Sequence, residues 1–285
     1  MNKLGYYPGC SMHATCKEYE ISAKKILQNF DIELEEIKDW NCCGAADASA
    51  MDHFLSVALP ARNLAIANHQ YDELIMLCSA CQQVHNKTKQ KLIENPLLKQ
   101  EIEKSIGKEI NTDIGIKHLL SFISNEIETG KIEANVKKSL NGLKVAPYYG
   151  CAINRPSSYI HGEDPEFPVS LEKIITALGG EALQFSYRTK CCGGVLLLPE
   201  EDFALAISKN ILLEAKKNSA DCLAVVCPLC QATLEIFSLK MKLEMPILFF
   251  TQLMGIAFGY TIKELGLNHN LISAEKMLKK YGYKK

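Results

Sequence analysis

Apolar positions in this chain gather into short unbroken runs bounded by polar residues. Between the runs lie longer stretches whose apolar residues recur every three to four positions. The first kind is clearest in "YDELIMLCSAC" (71–81) and "ADCLAVVCPLC" (220–230), where four consecutive apolar residues lead into a C-x-x-C spacing. Such a run predicts a strand buried on both faces, as in a parallel sheet. The second kind predicts helices. "ISAKKILQNF" passes through a break into the β-like "DIELEEI", and "SLEKIITALGG" passes likewise into "EALQF". "FLSVALPARNLAIANH" and "FALAISKNILLEAKKN" predict one more helix each, with Pro60 starting or kinking the first. "GIKHLL" (115–120) and "FFTQLM" (249–254) read as a fourth strand end in each series.

The pattern is a repeat, and the cysteines carry its period. Cys10, Cys42, Cys43, Cys78 and Cys81 in the first half answer Cys151, Cys191, Cys192, Cys227 and Cys230 in the second. From the first member of each adjacent pair to the first cysteine of C-x-x-C is 36 residues in both halves. "GYYPGC" ending at Cys10 matches "PYYGC" ending at Cys151, and "YIHGEDPEFP" absorbs the longer first gap of the second half. Alternating strands and helices predict an α/β fold of two pseudo-symmetric, Rossmann-like halves with parallel sheets. The expected halves are 1–140 and 141–285. The polar stretch at about 86–110 is read as a helical insertion in the first. In open sheets of this kind ligands sit beyond the carboxyl ends of the strands, which is where the cysteines fall.

Composition changes this picture little. With 285 residues and a formal net charge of -1, the chain has no global field to recruit nucleic acid. Only three basic residues are arginine (Arg62, Arg155, Arg188), so each becomes a candidate for a fixed anion contact. No signal peptide is evident at the N-terminus. The most apolar run (245–260) is shorter than the roughly 20 residues of a spanning helix and reads as a buried strand entering a helix. A cytoplasmic location is expected. Twelve cysteines in that setting suggest metal binding or redox work rather than a disulfide framework.

Five thiolates per half limit what can be bound. One zinc ion takes four ligands, leaving one cysteine idle and three negative charges uncompensated. Disulfides leave one thiol over in each half. A polynuclear iron–sulfur cluster meets the count more easily, because several irons share the charge and a thiolate can bridge two of them. Ordinary cubane clusters take four cysteines, so a fifth implies an unusual cluster. Gly44 and Gly193, directly after the adjacent cysteines, let the backbone turn tightly there.

The doubled pattern C-xₙ-CCG-xₙ-C-x-x-C resembles the CCG-domain (cysteine-rich) proteins. "YYPGC", "DWNCCGA", "YYGC…NRP" and "CCGG…CPLC" look most like the B-type subunit of CoB–CoM heterodisulfide reductase. The resemblance implies a noncubane four-iron, four-sulfide cluster in each half, held by its five cysteines. It also implies a small anionic disulfide cleaved reductively to two thiols between the clusters. A ferredoxin-like iron–sulfur subunit of the C type and a flavin-containing subunit of the A type are the implied partners. The chain has no C-x-x-C-x-x-C-x-x-x-C run, which sets it apart from CCG subunits that carry ferredoxin motifs of their own. The alternative is the CCG subunit of a quinone-linked, succinate- or fumarate-type oxidoreductase, with residues 246–260 facing a membrane.

Other residues are candidates by position. Arg155 in "CAINRP", and Arg188 and Lys190 before the second CCG, are expected to contact a sulfonate or phosphate. His118 and Gln252, at the fourth strand ends, are expected to give a proton or hydrogen bond at the rim. His13, three residues past Cys10, is a second proton donor candidate. Cys16 and Cys222 fall outside the repeat and read as buried small hydrophobes.

Overall fold

A computed structural model describes residues 2–45, 48–67, 70–158, 160 and 163–283. The first half carries strands β1 (Asn2–Tyr7), β2 (Ile32–Glu36), β3 (Glu73–Met76) and β4 (Gly115–His118), all parallel, in the order β2-β1-β3-β4. The second carries β5 (Lys144–Tyr148), β6 (Glu181–Ala182), β7 (Cys222–Val225) and β8 (Ile247–Phe249), in the order β6-β5-β7-β8. The two orders are the same order, one sheet per half. Tyr6 lies between Glu36 and Ile75, and Tyr148 beside Val225, so the carboxyl ends of each sheet's central strands are level.

Helices cover the sheets. In the first half these are α1 (Gly9–His13), α2 (Lys17–Leu27), α3 (Ala48–Met51), α4 (His53–Ala67), α5 (Ser79–Glu94), α6 (Pro96–Ile106), α7 (Leu119–Glu126) and α8 (Thr129–Ala134). In the second they are α9 (Ser170–Ala177), α10 (Glu201–Lys217), α11 (Pro228–Lys240), α12 (Phe250–Ala257) and α13 (Glu275–Lys280). Pro60 lies in mid-helix and does not start α4. The helix continues through it because Val57, Ala61 and Leu64 are buried against the core. Residues 86–94 complete α5, whose equivalent is α11. The helix without a counterpart is α6, opened by Asn95 Oδ1 accepting from Leu98 N (3.1 Å) and by Pro96 at its first turn.

The halves are joined through α2 and α12, and by the same relation through α9 and α7. Tyr19 of α2 stacks on Phe249 at 3.9 Å and 9°, and donates its hydroxyl to Val226 O at 3.2 Å. Ser22 Oγ and Thr251 Oγ1 are 2.7 Å apart in the same contact. Residues 247–258, the strand-to-helix run expected from the sequence, are buried here between the halves. This segment therefore does not face a membrane. Among the described residues no helix is long and apolar enough to cross one.

Candidate metal centre

Each of the ten repeat cysteines lies beyond the carboxyl end of a strand. Cys78 and Cys227 are the N-caps of α5 and α11, with Cys81 and Cys230 in the first turns. The C-x-x-C spacing thus puts two thiols at the positive end of a helix, although burial and the neighbouring sulfurs hold all but Cys227 above the ordinary thiol range. Cys10 and Cys151 follow β1 and β5 through Gly9 and Gly150. A Cβ at Gly150 would lie 3.0 Å from Cys230 Sγ, and one at Gly9 would lie 3.3 Å from Cys81 Sγ. Only a residue without a side chain lets these loops come so close to the sulfurs.

The adjacent cysteines sit on matching turns. Gly44 and Gly193 adopt φ of 69° and 79°, the left-handed region that glycine enters freely. The turn aims amide hydrogens at sulfur: Gly44 N donates to Cys42 Sγ (3.5 Å), Gly193 N to Cys191 Sγ (3.3 Å) and Gly194 N to Cys192 Sγ (3.3 Å). Two thiols on consecutive residues are therefore held side by side.

The ten thiols form a single file. Cys10 bonds Cys42, Cys42 bonds Cys43, and Cys43 lies 3.2 Å from Cys81, which bonds Cys78. In the second half Cys151 bonds Cys191, Cys191 bonds Cys192, Cys192 bonds Cys230, and Cys230 bonds Cys227. Cys78 and Cys227 then bond each other across the halves. Three thiols of the file, Cys42, Cys191 and Cys227, are held below the ordinary thiol range by hydrogen bonds from their neighbours, and the other seven are pushed up. Hydrogen bonds from Cys10 and Cys43 hold the Cys42 thiol down to about 2, and those from Cys151 and Cys192 do the same for Cys191. Their donors are pushed up, Cys43 to about 11 and Cys192 to about 12. Protons shared between sulfurs are what a bound metal group displaces. The donor set is all thiol, five per half, which suits iron–sulfur chemistry. Among the described residues no three His, Cys, Asp or Glu are arranged to hold a single metal ion.

A second set of groups supports the file, and the repeated "YY" is its only trace in the sequence. Tyr7 donates to Asn41 O (2.9 Å) and Tyr148 to Lys190 O (2.7 Å), in each case the carbonyl just before the adjacent cysteines. The halves differ behind this layer. In the first, Asn63 holds Asn41 through N–H···Oδ1 and Nδ2–H···O bonds, both 2.9 Å. Beside it His85, pressed down to about 4 by burial, bonds Cys81 O at 2.8 Å. In the second, Ser208 Oγ donates to Cys192 O at 2.6 Å.

The other candidates are placed differently from expectation. His118 is fully buried and does not reach the rim: it caps α7, Nδ1 accepting from Leu120 N (3.1 Å) and Nε2 donating to Leu77 O (3.2 Å). Burial lowers it to about 4, so it stays uncharged and braces the loop that carries Cys78. Gln252 is also fully buried, bonding Phe249 N (3.1 Å) and Asn270 Oδ1 (2.8 Å). Arg188 is held by Glu172 (2.8 Å), and Arg155 by Glu166 and Thr189 O (3.2 Å). Neither guanidinium is free for a ligand, because a nearby carboxylate already supplies its counter-charge. Lys190 is exposed, and its contribution is the carbonyl that receives Tyr148. His13 pairs with Glu36 (3.3 Å) and meets the edge of Trp40. Cys222 is buried within β7. Cys16 is buried at the contact between halves, its Sγ donating to Pro228 O at 3.5 Å.

A cavity of about 140 Å³ opens on this file. All five repeat cysteines of the second half line it, whereas the first half contributes Ala45, Ser79, Ala80 and Gln83. Its wall is mainly apolar, with Ala152, Val195 and Leu229, and holds no ionised lysine, arginine or carboxylate.

The model of the cysteine-rich CCG domain matches this chain twice, at residues 4–84 and 145–235. The chain belongs to the CCG family. Across its length this CCG protein is similar to a Wolinella succinogenes protein named 8-methylmenaquinol:fumarate reductase membrane anchor subunit. Identity is 34% over 96% of this chain and 99% of the relative. It is similar also to the B-type subunit of ferredoxin:CoB-CoM heterodisulfide reductase from Methanosarcina mazei, at 25% identity over 98% and 97% of the two chains. A solved Helicobacter pylori protein, described as hypothetical, shares the fold. Its TM-score is 0.76 at 17% identity, covering 95% of this chain and 52% of that one. The CCG protein is thus a cysteine-rich iron–sulfur subunit with relatives in both a quinol-linked and a disulfide-linked system.

Proposed function

We propose that each half holds one noncubane four-iron, four-sulfide group through its five cysteines, and that the chain oxidises or reduces a quinone for a partner oxidoreductase. The carrying observation is the cavity between the halves: sulfur-lined, apolar and without a lysine, arginine or carboxylate side chain. Burying an anion there without a counter-charge is costly, whereas a neutral ring gains from the apolar wall. The two arginines that would have received an anionic disulfide are neutralised by Glu166 and Glu172. The 34% identical relative, named for a menaquinol reaction, supports the same reading. When bound, the iron–sulfur groups supply one-electron acceptors, two of them for the two electrons of a quinol.

The chain's own residues bind and orient the ring. Gln83 Nε2 is engaged by Arg155 O (2.7 Å), which leaves its Oε1 to accept from a quinol hydroxyl. Ser79 Oγ, 3.4 Å from His118 Nε2, is a second polar group of the wall and donates to a quinone oxygen. The electrons pass to the partner subunits, which the flavin and ferredoxin-like chemistry of the wider family supplies.

Disulfide reduction is the second reading, favoured by the contact of Cys78 with Cys227 at the seam of the halves and by the 25% identical relative. Complex isolated with its native partners under anaerobic conditions separates the two readings. Reduction of the iron–sulfur groups by a menaquinol analogue, with no thiol released from CoM-S-S-CoB, is the expected result. Thiol release with no response to quinol would sink the quinone reading.

A further inference from the structure

Next to the thiol-lined cavity is a polar one of about 230 Å³, and Ala45 and Gln83 line both. Its other walls include Gly44, Thr88 and two lysines, Lys87 and Lys91. The lysines are four apart on α5, so they share one face of the helix. No carboxylate lines this cavity. Lys91 Nζ bonds an imidazole nitrogen, His53 Nε2, at 3.1 Å, and among the described residues Lys87 has no ion-pair partner. Burial, and then the charge of Lys87, hold Lys91 below the ordinary lysine range. All three arginines, by contrast, are paired with acids. Two ammonium groups in a concave polar site without a counter-charge repel one another, and an oxyanion bridging them relieves that repulsion.

We propose that Lys87 and Lys91 form a subsite for a phosphate-type oxyanion at the outer door of the thiol-lined cavity. A lipid headgroup and free phosphate present the same chemistry. The surroundings favour the lipid: Met51 and Leu55, two residues to either side of His53, are 79% and 45% exposed. Lysines beside exposed apolar side chains are the composition of a membrane-interface contact. Only this choice of source rests on the quinol reading, since a lipid-soluble quinol reaches the cavity from a bilayer.

The test uses the full-length metal-loaded protein and reads no electron transfer, so it stands or falls apart from the function proposed above. Flotation is measured with vesicles of phosphatidylcholine alone and of equal parts phosphatidylcholine and phosphatidylglycerol. Binding of inorganic phosphate is measured by calorimetry. Lys87→Gln/Lys91→Gln is compared with Lys209→Gln/Lys216→Gln, an equal charge loss on α10. The expected result is binding to the phosphatidylglycerol vesicles that falls about 30-fold in the first variant and little in the second. Phosphate binding lost only in the first variant, without vesicle binding, supports the subsite with a soluble occupant. Equal behaviour of the two variants, or binding of neither probe by the unaltered protein, overturns it.

Discussion

Glu235 is buried on α11, where it receives Leu271 N (2.9 Å), Ile272 N (3.3 Å) and Gln231 Nε2 (2.7 Å). Loss of water outweighs these bonds and lifts its carboxyl to about 7. An acid whose folded pKa is raised is most favourable to folding below its unfolded pKa, and that contribution is lost as pH rises through the folded value. Stability should therefore fall by about 3 kcal/mol between about pH 4.5 and 7 and then level. Glu235→Gln should flatten that slope, and denaturation midpoints at the two ends of the range measure it. A second comparison isolates backbone strain. Gly193→Ala places a Cβ 3.0 Å from Ala204 Cα at φ 79°, whereas Gly107→Ala at φ 66° meets nothing within 4 Å. The first should cost about 2–4 kcal/mol and iron from the second half, the second only about 1 kcal/mol, read by urea midpoints and iron content. The cysteines are legible in the sequence because their spacing repeats. His118, Gln252 and Arg188 are not, because each role depends on a partner distant in sequence: Leu77, Asn270 and Glu172.

Helices α2 and α12 do for the molecule what no single residue does: they set one half against the other. Tyr19 supplies both the stacked ring and a hydrogen bond to the carbonyl that precedes Cys227. Tyr19→Ala should cost about 3–5 kcal/mol and loosen the seam, while Tyr19→Phe should lose only about 1 kcal/mol. Limited proteolysis near residues 137–143, which are tied to Ala257 O by two backbone bonds of 2.9 Å, reports the loosening. Unchanged cleavage in the alanine variant would show that the seam is held elsewhere. Element order and parallel pairing are readable from runs such as "LIML" and "LAVV", since a doubly covered strand has no polar face. The extent of β6 is not. Only Glu181 and Ala182 pair with β5, and nothing in "EALQF" marks where pairing stops. Pro60 misleads for a related reason, as helix propensity yields to a buried apolar face.

The whole molecule is a duplication whose halves have diverged in use. The cavity touches every repeat thiol of the second half and none of the first. Cys43→Ala and Cys192→Ala should each lower iron content by about half, as the proposal of one five-cysteine group in each half requires. Only Cys192→Ala should abolish tight binding of a quinone analogue, followed by calorimetry on the purified variants. Equal loss in both would mean that the cavity is shared. The first half has an asymmetry of its own. The chain's single tryptophan, Trp40, lies edge-on to Tyr7 with ring centres 5.6 Å apart, and Tyr7 is surrounded by Cys10, Cys42, Cys43 and Cys81. Iron–sulfur groups absorb across the near ultraviolet, where indole emits. Native fluorescence is thus a built-in lamp beside the metal group of the first half, dimming as that half fills.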